Sequence, residues 1–185
     1  MTPKTYFYEN QTKIVEKVFD ADPYFYVEKH KVLLPTGRKV DNYYQLKLPN
    51  FTSVIAVDAE EKFLIFRGYR HGIRGMSFSF PGGGVEIDES FLQCAKRELR
   101  EETGFEGEDW VHKGSFVGDA SKQCGHYHIF ATQNIRETTV PDSGDLEDVE
   151  LVRLSKAELA EIIQSKQPVS LGFVATVFFA LALRS

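Results

Sequence analysis

Three glutamates in the middle of the chain have the spacing of a metal-binding cluster. Glu98, Glu101 and Glu102 stand three and four positions apart, so on a helix their side chains share one face. Like charges at these spacings repel one another, which costs stability unless a positive charge lies among them. Carboxylate oxygens are hard ligands that suit Mg²⁺ or Mn²⁺ better than zinc or copper. The cluster therefore indicates chemistry that uses a divalent cation.

The same residues also have a purely structural interpretation. Charged segments such as KRELREE, residues 96–102, are common, and most are solvated helix faces in which Arg and Lys pair with Glu. The flanking residues decide between the two interpretations. Five residues separate Gly83 from Glu89, and seven separate Glu89 from a nine-residue run that begins at Arg97. The complete pattern is Gly83-x5-Glu89-x7-Arg97-Glu98-Leu99-x-Glu101-Glu102-x-Gly104-Phe105.

This pattern fills all nine specified positions of the Nudix box, so the chain resembles the Nudix hydrolases. The resemblance implies an α/β fold (α+β), an α/β/α sandwich around a mixed β-sheet in which the box forms a loop, a helix and a loop. It also implies a reaction, the attack of water on a phosphorus of a nucleoside diphosphate linked to another group. A Mg²⁺-bound water has a lowered pKa, and the metal neutralises charge on the phosphate oxygens.

The resemblance assigns a role to each box residue. Gly83 shapes the first loop and contacts substrate, and Arg97 orients the carboxylates through an ion pair with Glu89. The implied metal ligands are Glu98, Glu101 and Glu102, completed by a backbone carbonyl near Gly82. The implied catalytic residues are Glu89, Arg97 and Glu101, joined by Glu147 from an acidic loop further along the chain.

A short upstream segment indicates the substrate. Arg67-Gly68-Tyr69-Arg70 resembles the R-Q-Y-R strand end of the branch that hydrolyses ADP-ribose and nucleotide sugars, which implies that Arg70, with Arg67, binds the diphosphate. The guanidinium fork matches phosphate oxygens. An exposed strand end with two ordinary basic residues is the alternative. Gly68 replaces the glutamine of the pattern, and residues 116–122 lack the proline that ADP-ribose hydrolases carry there.

The segments after the box resemble the same branch. HYHIFA, residues 126–131, is similar to its H-x-F-x-A strand, and DLEDVELVRL, residues 145–154, to an acidic loop that enters a strand. That loop often supplies a catalytic or metal-linked glutamate. Glu147 is the first candidate and Asp145 the second, while a solvated surface loop is an equally good interpretation.

Composition excludes several classes of protein. The 22 basic and 27 acidic residues give a net charge of −5, which disfavours nucleic acid as a partner. The two cysteines are too few for a disulfide framework. The longest apolar run, residues 171–183, is too short to span a bilayer, and the first residues lack the apolar core of a signal peptide. We therefore expect a cytoplasmic protein with no membrane partner.

Hydrophobic periodicity predicts the elements around the box. Alternating residues over 5–34 predict two or three strands, and short strands at 54–57 and 63–66 are predicted to be joined by a hairpin turn. The box helix is predicted to begin at an Asp88 N-cap and to end at Gly104. Further elements are predicted as strands at 110–117, 126–131 and 149–154 and helices at 156–164 and 171–183.

The pattern predicts an antiparallel N-terminal strand segment, residues 1–50, ahead of a Nudix domain, residues 51–185. In the resembling branch such a segment packs across a homodimer, so a homodimer is expected here. We expect a Mg²⁺-dependent pyrophosphohydrolase that cleaves ADP-ribose or a related nucleoside diphosphate sugar. A hydrolase of modified nucleoside triphosphates and a non-catalytic nucleotide-binding module are the alternatives.

Overall fold

The computed structural model describes residues 12–122, 124–142 and 149–183, with side chains from residue 16 onward. The chain divides into two compact units. The first contains the residues up to Pro49 together with Asp119–Gly125. The second contains Asn50–Gly118 and the residues from His126 onward. In chain order the elements are β1 Thr12–Ala21, β2 Phe25–Leu33, β3 Lys39–Lys47, β4 Phe51–Ala56, β5 Phe63–Arg70, β6 Gly75–Ser79, α1 Phe91–Thr103, β7 Phe105–Glu106, β8 Val111–Val117, β9 His126–Thr132, β10 Arg136–Glu137, β11 Val149–Leu154, α2 Lys156–Gln164 and α3 Leu171–Leu181.

The first unit is an antiparallel sheet of three strands in the order β1-β2-β3. A turn at Pro35-Thr36-Gly37 connects β2 to β3, and Gly37 there has φ of +82°. The 119–125 segment joins this unit through a hydrogen bond from the backbone N–H of Leu46 to the carbonyl of Lys122, at 2.9 Å. The antiparallel N-terminal strands predicted from the alternating residues are thereby confirmed.

The second unit contains two three-stranded sheets and a short two-stranded pair. One sheet has the order β4-β9-β8, with β4 parallel to β9, and the other is antiparallel in the order β11-β5-β6. The pair β7–β10 was not predicted, because two-residue strands leave no periodic signal. Parallel and antiparallel pairing together make this a mixed α+β unit, as expected.

Alternate residues of β4 pack against helices on opposite faces. Ile55 belongs to a core cluster that includes Leu159 of α2 and Phe173 of α3. Its neighbours Val54 and Ala56 belong to a second cluster with Ala95 and Leu99 of α1. Because successive side chains of a strand point to opposite faces, these two clusters place helices on both sides of the strands. This is the predicted α/β/α arrangement.

The box helix α1 begins two residues later than predicted. Ser90 is its N-cap, and a capping box joins Ser90 to Gln93 in both directions. Asp88, the predicted N-cap, instead adopts φ of +63° in the loop before the helix, so that prediction was wrong. The end of the helix is as predicted, because Gly104 has φ of +75° and its N–H bonds to the carbonyl of Arg100 at 2.8 Å.

The turn at 58–62 is present, but the strands on either side do not form a hairpin. Asp58 N–H donates to the carbonyl of Lys62 at 2.9 Å, and Val57 bridges to Phe63. Beyond that bridge β4 pairs with β9, whereas β5 pairs with β6 and β11. The two strands therefore diverge into different sheets, and the loop after β6 passes alongside β4. Within the described ranges, no helix is long and apolar enough to cross a membrane.

Candidate active site

A cleft of about 650 Å³ lies where the end of β5, the loop after β6 and one face of α1 meet. The aromatic rings of Phe51 and Tyr127 also border it and stack with centroids 5.2 Å apart. The predicted site residues that line the cleft are Arg70, Gly82, Gly83, Arg97, Glu98, Glu101 and Glu102. The structure thus brings together, in one concave site, residues that are up to 32 positions apart in the sequence.

The glycine loop between β6 and α1 lies directly against β4. The N–H of Thr52 donates to the carbonyl of Gly83 at 2.9 Å, and the N–H of Val54 donates to the carbonyl of Pro81 at 2.8 Å. Gly82 has φ of +147°, and a Cβ there would lie 2.0 Å from the carbonyl oxygen of Thr52. Only glycine allows the loop to approach the strand this closely.

Two carboxylates of α1 lie against the same loop. A Cβ on Gly83 would lie 2.2 Å from Oε1 of Glu98, so the glycine leaves the space that this carboxylate occupies. The N–H of Gly82 donates to Oε2 of Glu102 at 2.7 Å. The glycine loop therefore holds the positions of two of the three predicted metal ligands.

Arg97 connects the carboxylates of the box. Its guanidinium donates from Nε and Nη2 to the two oxygens of Glu89, at 2.9 and 3.0 Å. Nη1 donates to Glu98 at 2.8 Å and to Glu101 at 3.1 Å. Nη2 also reaches the carbonyl of Gly84 at 3.1 Å. The positive charge that the glutamate spacing requires is therefore supplied by a residue of the same helix.

Burial raises the pKa values of the box carboxylates Glu89 and Glu98, whereas the positive charge of Arg97 lowers them. The hydrogen bond from Arg97 lowers the pKa of Glu89 below its ordinary value and outweighs the partial burial of that carboxyl. For Glu98, burial is the larger effect and raises the pKa, although Arg97 opposes it. The three surrounding carboxylates raise the pKa of Arg97 itself. Arg97 therefore stays charged beside its carboxylate partners.

The donor set fits a hard divalent cation. Three carboxylates and the backbone carbonyls of a glycine loop are oxygen ligands of the kind that Mg²⁺ and Mn²⁺ prefer. Among the described residues, no group of three or more His, Cys, Asp or Glu side chains is arranged so that it could hold a metal ion. Glu98 and Glu101 point to Arg97, and Glu102 points to the N–H of Gly82. Binding of one cation by all three carboxylates would require these side chains to move closer together.

The two arginines of the R-G-Y-R segment have different surroundings. Arg70 lines the cleft, where Nη2 donates to Oγ of Ser79 at 2.9 Å. Arg67 is outside the group of residues that line the cleft, and its exposed side chain lies 3.9 Å from a carboxylate oxygen of Glu150. Arg67 and Arg70 are three positions apart on β5, so their side chains lie on opposite faces of the sheet. The structure thus brings Arg70, and not Arg67, to the carboxylates.

Several residues of the cleft were not predicted from the sequence, and two residues that were predicted lie outside the described ranges. Ser79, which orients Arg70, and the Phe51–Tyr127 wall were not predicted. The alternation of β9 could have indicated Tyr127, because His126 and His128 lie on the opposite face from it. Asp145 and Glu147 lie outside the described residues.

Comparisons with known proteins identify the family of the chain. The NUDIX domain model matches residues 47–171, so the chain belongs to the Nudix family. The solved structure titled "Crystal structure of ADP compounds hydrolase" superposes with a TM-score of 0.73 at 21% identity and covers 90% of each chain, which confirms the predicted fold.

Curated relatives carry several different names. The chain is 25% identical to the ADP-ribose pyrophosphatase of Bacillus subtilis (strain 168), over 84% of this chain and 82% of the relative. It is also 25% identical to the methanol dehydrogenase activator of Bacillus methanolicus, over 86% of both. It is 29% identical to subunit 2 of the mRNA-decapping enzyme of Arabidopsis thaliana over 64% of this chain. The matched region spans only 28% of that relative's length. The predicted resemblance to the Nudix family, and within it to an ADP-ribose pyrophosphatase, is confirmed.

Proposed function

We propose that this protein is a Mg²⁺-dependent pyrophosphohydrolase of ADP-ribose or a related nucleoside diphosphate sugar. Water would add to one phosphorus, the anhydride oxygen would leave with the other, and the products would be a nucleoside monophosphate and a sugar phosphate. The observation that carries the proposal is that Arg70 and the three box glutamates line one cleft. The similarity to the Bacillus subtilis ADP-ribose pyrophosphatase over most of both chains supports it.

Each cleft residue has a distinct role in this proposal. Arg70 binds the diphosphate through its fork of N–H donors, held in direction by Ser79. Glu98, Glu101 and Glu102 would hold the divalent cation, together with a carbonyl near Gly82. When bound, such a cation lowers the pKa of a coordinated water and neutralises phosphate charge; Mn²⁺ could replace Mg²⁺. Gly83 leaves room for both the Glu98 carboxylate and the substrate.

We propose Glu101 as the residue that accepts the proton of the attacking water. Its side chain is 39% exposed, whereas that of Glu98 is 13% exposed, so Glu101 has more access to substrate in the cleft. Glu89 and Arg97 act as positioning residues, because Glu89 bonds to Arg97 and Arg97 in turn bonds to Glu101. Glu147, which the resemblance implies as a catalytic or metal-linked residue, is our second candidate for the proton acceptor.

The test is phosphate release from a panel of substrates with Mg²⁺, coupled to a phosphatase, with EDTA as the metal control. The panel contains ADP-ribose, nucleotide sugars, dinucleoside polyphosphates, nucleoside triphosphates and a capped dinucleotide. Preference for ADP-ribose or a nucleotide sugar, abolished by EDTA, is the expected result. Turnover of triphosphates alone would replace the proposed substrate class. Binding of nucleotides without turnover of any of them would favour a non-catalytic module.

We further propose a homodimer, with the segment of residues 1–50 at the interface, acting in the cytoplasm on a small nucleotide. The exposed apolar side chains of that segment, Phe19, Tyr24 and Tyr44, support this proposal. Light scattering at micromolar concentration should give twice the chain mass of 21.1 kDa. A single species at the chain mass would exclude the dimer.

A further inference from the structure

A second cavity, of about 380 Å³, lies on another face of α1. Side chains of the helix and of the segment that follows it, up to Trp110, form its walls. Arg97 contributes to this cavity and to the cleft, so the two are separated by one arginine side chain. None of the three box carboxylates lines the second cavity.

Two cations on the helix give this cavity a positive wall. Lys96 and Arg100 stand four positions apart, one helical turn, and both are exposed. Within the described part of the chain, neither side chain has an ion pair or a hydrogen bond. In a protein of net charge −5, two neighbouring cations without a carboxylate partner there are available for an anion.

Trp110 gives the same cavity an aromatic wall with a fixed orientation. Its indole Nε1–H donates to the carbonyl of Gly107 at 2.8 Å, and its ring packs against the core cluster beneath α1. Because the only polar group of the indole is already bonded, the ring contributes apolar aromatic surface to the cavity lining. Glu106 adds a carboxylate acceptor to the lining.

We propose that this cavity is a second binding site, distinct from the cleft, for a nucleoside phosphate. The base would stack on Trp110, its N–H groups would donate to Glu106, and the phosphate would lie between Lys96 and Arg100. Base–aromatic stacking tolerates any base, whereas a carboxylate favours a base with N–H donors at its edge. The proposal does not depend on the function proposed for the cleft.

The chain has a single tryptophan, so its intrinsic fluorescence reports directly on Trp110. The probes are GMP, AMP, UMP and inorganic phosphate, titrated in EDTA at low ionic strength. Without a divalent cation, the carboxylates of the cleft repel phosphate, whereas the Lys96–Arg100 wall attracts it. GMP should quench the fluorescence and bind at least about 5-fold more tightly than inorganic phosphate, because only the nucleotide can stack. Added salt should weaken the binding.

Two double variants separate this site from a general charge effect. Lys96→Gln with Arg100→Gln should weaken GMP binding about 10-fold or more, since each charged hydrogen bond is lost. Lys31→Gln with Lys39→Gln removes the same charge from exposed positions of the first unit and should leave binding within about 2-fold. Thermal unfolding of both variants verifies that they fold.

Three results would overturn the proposal. The absence of both quenching and heat of binding at millimolar GMP in EDTA would exclude the site. Equal affinity for GMP and inorganic phosphate would exclude the nucleoside part. Binding that requires Mg²⁺ and disappears in Glu98→Gln would assign the signal to the cleft. The last result leaves the proposed pyrophosphohydrolase standing, whereas binding in EDTA by a protein without turnover would leave only the second site.

Discussion

Arg97 and Glu89 are joined by two parallel hydrogen bonds, from Nε to Oε1 at 2.9 Å and from Nη2 to Oε2 at 3.0 Å. This bidentate pair fixes the plane of the guanidinium and therefore the direction in which Nη1 and its two N–H groups point. Glu98 and Glu101 lie in that direction. The positions of Glu98 and Glu101, two of the three proposed metal ligands, therefore depend on Glu89, which does not line the cleft itself.

Replacing Arg97 by lysine should lower kcat/KM about 100-fold, although the charge is retained. An ammonium group cannot make the two parallel bonds to Glu89, so the carboxylates would lose their common orientation, and small displacements of catalytic groups are costly. Steady-state kinetics of Arg97→Lys and Glu89→Gln test this, and the two effects should be non-additive because the residues act as a pair. Additive losses would show that they act separately.

The Arg97–Glu89 pair should also make stability depend on pH. The pKa of Glu89 is lower in the folded protein than its ordinary value of 4.5, so folding favours the charged form. The pair therefore contributes its full stability above about pH 4.5 and loses it as the pH falls through the lowered folded pKa. Denaturant unfolding of the wild type and Glu89→Gln should give a constant difference near neutral pH that decreases in acid. A difference that grows in acid would contradict this assignment.

Gly83→Ala should reduce activity about 100-fold while leaving the fold intact. The new Cβ would lie 2.2 Å from Oε1 of Glu98, so this flexible carboxylate must move away from the glycine loop. Gly84→Ala is the matched control, because a Cβ at Gly84 meets no atom within 4 Å. Kinetics and thermal unfolding of both variants make the comparison. Equal activities would mean that the Glu98 position is unimportant.

Arg70→Ala should raise KM for the diphosphate substrate by about 10-fold to 100-fold, as expected when a charged hydrogen bond to phosphate is lost. Arg67→Ala removes the same type of side chain from the same strand, outside the cleft, and should change KM less than about 2-fold. Measuring both with ADP-ribose identifies which arginine binds substrate. A larger effect at Arg67 would reverse the assignment.

Cys94 should be unreactive toward thiol reagents in the native protein. It is fully buried, and burial raises its pKa to about 11, so almost none is thiolate at pH 8. Cys124 is partly exposed and should react first. Titration with a disulfide reagent should label one thiol in the wild type and none in Cys124→Ser until the protein is unfolded. Fast labelling of native Cys124→Ser would contradict the burial.

Secondary-structure elements whose periodicity and caps lie within their own segment could be predicted from the sequence. The bounds of α2 and β11 agree with the predicted 156–164 and 149–154, because period and caps lie within each segment. The start of α1 was missed because Asp88 and Ser90 are both good N-caps, and only Ser90 has a capping-box partner, Gln93. A cap prediction thus needs the partner residue as well.

The partners of each strand could not be predicted in this way. The turn at 58–62 was identified from its residues, but nothing in residues 54–57 indicates that β4 pairs in parallel with β9. For the site, the box motif identified the residues around Arg97, whereas the separation of Arg67 from Arg70 follows from strand alternation once β5 is known to extend to residue 70. Non-local pairing has no local signal.

The parallel pairing of β4 with β9 has a consequence for synthesis on the ribosome. Phe51 is opposite Tyr127, so β4, which supports the glycine loop, can pair with β9 only after 76 further residues have been synthesised. Such distant contacts form slowly, since the intervening chain must first be ordered. At about 5–20 residues per second, β4 would be translated several seconds before β9. During that interval the apolar residues of β4 lack their strand partner and can associate with other chains or with a chaperone.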